Sequence, residues 1–185
     1  SGSNIRAKFL QEEYIVSVDD SIDFFEEFSA SGVDKNKIEF VSSNEDVLEK
    51  NDSGVFVAKN SGYSYVFAKN QDKTLASVKV SVKYKLSNVN DITIDENGVM
   101  TWSQSYVTIS SEKQYADLYE IKYSDLQNEN SDLQTITVST NSYSFENNGS
   151  YSVSIRAISN NKYIESSNET KINQINYGVM GRVEN

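Results

Sequence analysis

The sequence predicts an all-β chain folded as two β-sandwiches in tandem, and three observations predict it. Strict apolar–polar alternation recurs along the 185 residues, from Ala76-Ser77-Val78-Lys79-Val80-Ser81-Val82-Lys83-Tyr84 to Tyr151-Ser152-Val153-Ser154-Ile155-Arg156-Ala157. A period of two sends one row of side chains into a core and the next into water, as in a strand with one buried face. Clusters of Asn, Asp, Ser and Gly punctuate these runs, where turns need them. After Tyr84 comes a polar joint, Lys85-Leu86-Ser87-Asn88, and then a fresh series of strand patterns. The modules are therefore expected at 8–85 and 86–175, with 176–185 a tail or the start of a following segment. The joint has neither Gly-rich nor Pro-rich character, which predicts limited bending.

Composition removes whole classes of function. Cysteine, histidine and proline are absent. Without cysteine there is no disulfide framework, thiolate nucleophile or thiolate zinc site; without histidine the commonest general base and metal ligand is missing. The net charge of −10, with no basic cluster, argues against nucleic acid and anionic membranes as partners. No apolar run approaches the roughly 20 residues that span a bilayer, so no membrane insertion is expected within this fragment. Ser1-Gly2-Ser3 reads as a remnant of cloning, and the chain as an excised, monomeric piece of a longer protein. Modules of roughly 80–90 residues need no staple or metal to fold.

In the first module, Phe9 to Val18 leads to a turn at Asp19-Asp20. Ile22 to Phe28 reads as strand in the company of its neighbours, with a helix capped by Ser21 as the alternative. Ile38 to Val41 resumes the alternation, Asn51-Asp52-Ser53-Gly54 turns, and Val55 to Ala58 follows. Gly62 opens the strand Tyr63 to Ala68, and Asn70-Gln71-Asp72-Lys73 makes the hairpin into the closing strand. The strings Ile38-Glu39-Phe40-Val41-Ser42-Ser43-Asn44-Glu45-Asp46-Val47-Leu48 and Gly54-Val55-Phe56-Val57-Ala58-Lys59-Asn60-Ser61-Gly62 resemble the bacterial Ig-like domain, group 2. Phe40 stands where that family often has Trp. The resemblance implies an extracellular sandwich serving as a spacer or adhesin module, with no catalytic residues.

In the second module, Val89 to Ile94 and Val99 to Trp102 flank Asn97-Gly98, a strong hairpin signal. Ser103 to Gln114 reads as a polar stretch. Leu118 to Tyr123, Gln134 to Val138, Tyr143 with Phe145, Tyr151 to Ala157 and Tyr163 to Ile172 supply the remaining strands. Trp102, Tyr119-Glu120-Ile121-Lys122-Tyr123 and the run from Tyr151 to Ala157 resemble a fibronectin type III domain. That resemblance implies a tyrosine corner at Tyr151, its hydroxyl bonded to upstream backbone. The family's prolines near the module start are missing, the segment after Trp102 is long, and no Arg-Gly-Asp triplet is present.

The candidate sites are few. Serines abound on wet faces and in turns, but no Gly-x-Ser-x-Gly elbow occurs and no histidine could serve a triad, so the chain is not expected to be an enzyme. Cofactors are not expected. Asp19, Asp20 and Asp23, and Asp95 and Glu96 beside Asn97, offer hard oxygen ligands for calcium, although the same residues also build turns and neither cluster has EF-hand spacing. Tyr106, Tyr115 and Tyr163, near loops, are the tyrosines free to stack on a sugar, whereas Tyr119, Tyr123 and Tyr151 alternate inward. Asn-x-Ser/Thr sequons at Asn51, Asn148 and Asn168 read as compositional coincidence.

The reading is a non-catalytic stalk or spacer of a bacterial secreted or cell-surface protein, its partners being neighbouring domains of the same polypeptide. The alternative is an adhesin or carbohydrate-binding module that meets a glycan or host surface protein through its loops. Virion modules, where these families recur, are a third setting.

Overall fold

A computed structural model of the chain describes residues 4–128 and 130–178. The expected cloning remnant at 1–3, and Val179, Met180 and Val183 of the expected tail, lie outside the described residues. The described residues are β-strands and turns, with a single 3₁₀ turn at Lys35–Lys37 and no α-helix. They divide into two compact units, one ending at Tyr84 and the other starting at Lys85.

The first unit runs β1 (Arg6–Phe9), β2 (Glu13–Ser17), β3 (Ser21–Ile22), β4 (Phe28–Ser31), β5 (Ile38–Ser42), β6 (Leu48–Lys50), β7 (Phe56–Ala58), β8 (Gly62–Asn70) and β9 (Lys73–Lys85). One layer is the sheet β2-β9-β8-β5, in which β2 pairs in parallel with β9. The other is made of β1-β4 and β3-β7-β6. Phe40, Val66, Ala68, Val78, Val80 and Val82 from the first layer share one core with Phe9, Phe28, Leu48, Phe56 and Ala58 from the second. The alternation that predicts β9 is what fills this core, so here period and burial agree.

The expected strand over Ile22 to Phe28 is interrupted: Ile22 ends β3, Phe28 starts β4, and Phe24 to Glu27 between them form a turn. The Asp23 carboxylate accepts from the Phe25 N–H at 3.1 Å, Glu26 N–H donates to the Asp23 carbonyl and Glu27 N–H to the Phe24 carbonyl. The Asp23 carboxylate gives the turn a local hydrogen-bond partner for the backbone that a strand would not use. The turn seats Phe24 at full burial, edge-on to Phe9, Tyr14 and Phe56, and leaves Phe25 beneath the Lys35 ammonium, 4.4 Å from its ring centroid. Not all serines are wet, either. Ser64 is fully buried, 2.8 Å from Ser42 Oγ, and accepts from the Asn44 N–H, while Ser43 Oγ accepts from the Tyr65 N–H. These hydroxyls satisfy backbone where β5 leaves its ladder with β8.

The second unit runs β10 (Thr93–Ile94), β11 (Val99–Thr101), β12 (Tyr106–Ile109), β13 (Glu112–Tyr115), β14 (Leu118–Asp125), β15 (Gln134–Val138), β16 (Ser142–Ser144), β17 (Gly149–Ile158), β18 (Ile164–Glu165) and β19 (Thr170–Tyr177). The sheet β10-β11-β16 faces the sheet β15-β14-β17-β19. Three strands packed against four antiparallel strands is the sandwich architecture that Ig-like and fibronectin type III domains share. Met100, Trp102, Tyr119, Ile121, Val153, Ile155 and Ala157 are buried. Tyr151 makes the expected corner: its hydroxyl donates to the Asn147 carbonyl at 2.5 Å.

Two segments depart from expectation. The polar stretch after Trp102 holds the hairpin β12–β13, turned by Ser110 and Ser111, both at positive φ (51° and 68°). Primed turns usually advertise themselves with Asn-Gly or Asp-Gly, and this one does not. The expected last strand over Tyr163 to Ile172 is broken: Tyr163 lies in a turn, β18 covers only Ile164–Glu165, and β19 starts at Thr170 and runs on to Tyr177, pairing Asn176 with Ser150 and Tyr177 with Gly149.

Candidate functional site

The β12–β13 hairpin carries two of the three tyrosines singled out from sequence. Tyr106 pairs directly with Tyr115, and Thr108 with Lys113, so all four share one hairpin face. The rings lie 5.8 Å apart at 58°, and the Lys113 ammonium sits 4.6 Å from the Tyr106 centroid. Tyr106 is 37% and Tyr115 49% exposed. The hairpin base is anchored in the core: buried Ser105 donates its backbone N–H to the Tyr119 hydroxyl at 2.9 Å and its side chain to the Ser87 carbonyl. Ser87 and Tyr106 exchange further bonds, Ser87 N–H to the Tyr106 carbonyl and Tyr106 N–H to Ser87 Oγ, both at 3.1 Å. Two half-exposed rings on a fixed base, with an ammonium beside them, can stack on a sugar ring and hydrogen-bond its substituents.

Tyr163 lies elsewhere in the chain, in the turn between β17 and β18. It is 53% exposed, with the Lys162 ammonium 5.1 Å from its ring centroid.

The acidic candidates are occupied in turns. Asp20 Oδ2 accepts from the Ser17 N–H, and Asp23 caps the turn at Phe25. Asp95 Oδ1 accepts from both the Asn97 and Val99 N–H groups at 2.9 Å, closing the β10–β11 hairpin. Asp19 takes a positive φ of 79°. Among the described residues no three acidic side chains converge.

One exposed aromatic pair escaped the sequence reading. Tyr63 and Tyr65 occupy alternate positions on β8, opposite buried Ser64 and Val66, with rings 6.0 Å apart and Lys79 over Tyr63. The Tyr-x-Tyr spacing carried the signal, because a strand whose Ser64, Val66 and Ala68 point inward must turn Tyr63 and Tyr65 outward.

No family model matches the chain, and no curated protein matches it. Among solved structures, a crystal structure of S-layer protein SbsC domains 4 and 5 aligns over 95% of this chain and 98% of that one, at 14% identity and a TM-score of 0.32. A run of titin domains aligns over 90% of this chain at 13% identity and a TM-score of 0.29, this chain spanning 65% of that one. The FN1-FN3 domains of chicken CNTN1 align over 65% of this chain at 17% identity and a TM-score of 0.29, this chain spanning 47% of that one. Superpositions this loose carry no argument about function. The β-sandwich fold of each unit rests on its strand order and its buried core, and in the second unit on the tyrosine corner as well.

Proposed function

We propose that the chain is a non-catalytic, load-bearing spacer of a secreted or surface-anchored bacterial protein, a group 2 bacterial Ig-like module at 8–85 followed by a fibronectin type III-like module at 86–175. The observation that carries this reading is the parallel pairing of β2 with β9. Five register positions, from Glu13 opposite Lys79 to Ser17 opposite Lys83, join the early and late strands of the first unit, and Val18 N–H extends the ladder to the Lys83 carbonyl. Parallel strands at the two ends of a module are pulled in opposite directions along their common axis when tension is applied. Their hydrogen bonds then resist together in shear, whereas an antiparallel hairpin opens one bond at a time. A sandwich built this way suits a stalk that holds neighbouring domains at a distance under tension.

Single-molecule pulling tests the reading. Tension across residues 13 and 83 should unfold the first unit at a clearly higher force than tension across residues 62 and 82, which unzips β8 from β9. Equal forces would remove the argument for a load-bearing role.

The Tyr106–Tyr115 pair supports a second reading, in which the hairpin meets a glycan or host surface protein. A panel of glycans, cell-wall polymers and matrix proteins, run with calcium and with chelator, tests it. A reproducible hit lost in Tyr106→Ala and Tyr115→Ala would establish the adhesive role. Loss of that hit with chelator would give the acidic turns a part in it.

A further inference from the structure

The four-stranded sheet of the second unit ends at β15, which pairs with β14 alone. A free strand edge presents unmet N–H and C=O groups, and folded chains usually blunt it with charge, proline or a bulge. In the first unit β5 is blunted, because the Lys50 ammonium donates to the Phe40 carbonyl at 2.7 Å. At the far end of the β15 sheet, β19 carries Lys171 and pairs with β17 through a register shift. β15 reads Gln134-Thr135-Ile136-Thr137-Val138, with no charge and an unbroken register, and no charged residue follows before Glu146. We propose that this edge pairs antiparallel with the same edge of a second copy of the chain, about a two-fold axis at Ile136.

The phase of the neighbouring ladders fixes which backbone groups of β15 face outward. Hydrogen-bonded and non-hydrogen-bonded positions alternate along an antiparallel pair. Leu126 N–H donates to the Ser150 carbonyl, whereas Ala157 turns its N–H and its carbonyl away from β14, both to Ser167. β14 therefore bonds β17 through Ser124, Lys122 and Glu120. It bonds β15 through Tyr123, Ile121 and Tyr119, which stand opposite Gln134, Ile136 and Val138. Thr135 and Thr137 are left with N–H and C=O facing outward, and no backbone group of the described residues meets them there.

In this register the strand is its own complement. With Ile136 opposite Ile136 of the second copy, Thr135 faces Thr137 of that copy, and the two-fold repeats the pair. Each Thr–Thr pair exchanges both its N–H···O=C bonds, as a hydrogen-bonded antiparallel pair does. Cross-strand Thr–Thr and β-branched pairs stabilise a sheet, and no like charges meet. Ile136 lies on the core face opposite fully buried Ile121, yet is itself only half-buried, and the second edge covers it. The contact is confined to one short strand, well below the roughly 1,200–2,000 Å² of a stable complex. The net charge of −10 on each copy opposes it further at low salt. The pairing is therefore weak: dilute chain stays single, as the sequence leads one to expect, and chains held close together pair.

Sedimentation equilibrium of the full chain, at physiological salt and from about 10 μM to 2 mM, tests this. The mass should rise towards that of a dimer, with a dissociation constant of about 0.1–1 mM. Amide exchange should slow with concentration at Thr135 and Thr137 and stay unchanged at Ile136, which already bonds β14. Thr137→Pro removes an outward N–H without touching the β14 ladder and should weaken pairing about tenfold. Thr135→Lys with Thr137→Lys sets lysines opposite lysines and should abolish pairing. Thr135→Glu with Thr137→Lys sets unlike charges opposite each other, both across the two-fold and against Lys122 and Glu120 of β14, and should pair at least as tightly as wild type. This variant keeps the test sharp if the proline variant does not fold. A mass that stays single up to about 2 mM, a dimer that survives the double-lysine change, or equal loss in both charged variants would overturn the proposal.

Discussion

Replacing Phe24 with alanine tests the core of the first unit and its independence from the second at once. Phe24 has no exposed surface and contacts the rings of Phe9, Tyr14, Phe40 and Phe56 at centroid distances of 5.3–6.4 Å. Removing a buried phenylalanine costs about 3–5 kcal/mol, from lost transfer energy and the cavity left behind. A unit of this size is expected to hold roughly 4–12 kcal/mol of stability in all. At about 4–8 °C per kcal/mol, the midpoint of its melting should fall by about 12–40 °C. The assay follows from the composition: Trp102 is the only tryptophan and belongs to the second unit. Far-UV circular dichroism should show an early transition in urea for Phe24→Ala, while tryptophan fluorescence keeps the wild-type midpoint. A matching shift of the tryptophan transition would refute independent folding, and an unchanged dichroism curve would refute the placement of Phe24.

Other outcomes follow from single contacts. Tyr151→Phe removes the bond to the Asn147 carbonyl and should cost about 1–2 kcal/mol, read by Trp102 fluorescence in urea. Gly98→Ala should cost about 1–3 kcal/mol: Gly98 has a φ of +83°, and an added Cβ would fall 2.5 Å from the Tyr177 ring. The Tyr14 phenol, buried and donating to the Glu27 carboxylate at 2.9 Å, is pushed up to about 12, as is Tyr143. A phenol that holds its proton more tightly when folded stabilises in full below a pH of about 10, and this contribution disappears as the pH rises through about 12. Denaturation midpoints should therefore be flat across pH 8–9.5 and fall above it, with Tyr14→Phe flattening the fall in the first unit.

The parts of the fold visible in the sequence are those where one local rule and burial agree. β9, β14 and β17 alternate cleanly, and their inward rows are the buried ones. Gly98 and the Asp95 carboxylate mark the β10–β11 hairpin as clearly in the chain as in the structure. The failures come where tertiary packing overrides local pattern. Phe24-Phe25 could not reveal that a turn would bury one ring and expose the other. All four residues of β13 are exposed, so no apolar row announced that strand, and its Ser-Ser turn looks like any polar loop. Tyr106 and Tyr115 could be chosen as exposed from their polar surroundings, but their pairing needed the register.

The most direct test of the account is to pull the intact chain from its ends. Two separately folded sandwiches should give two unfolding steps, each releasing about 250–300 Å of chain for roughly 80–90 residues. A single step of about twice that length would contradict the division into two separately folded modules.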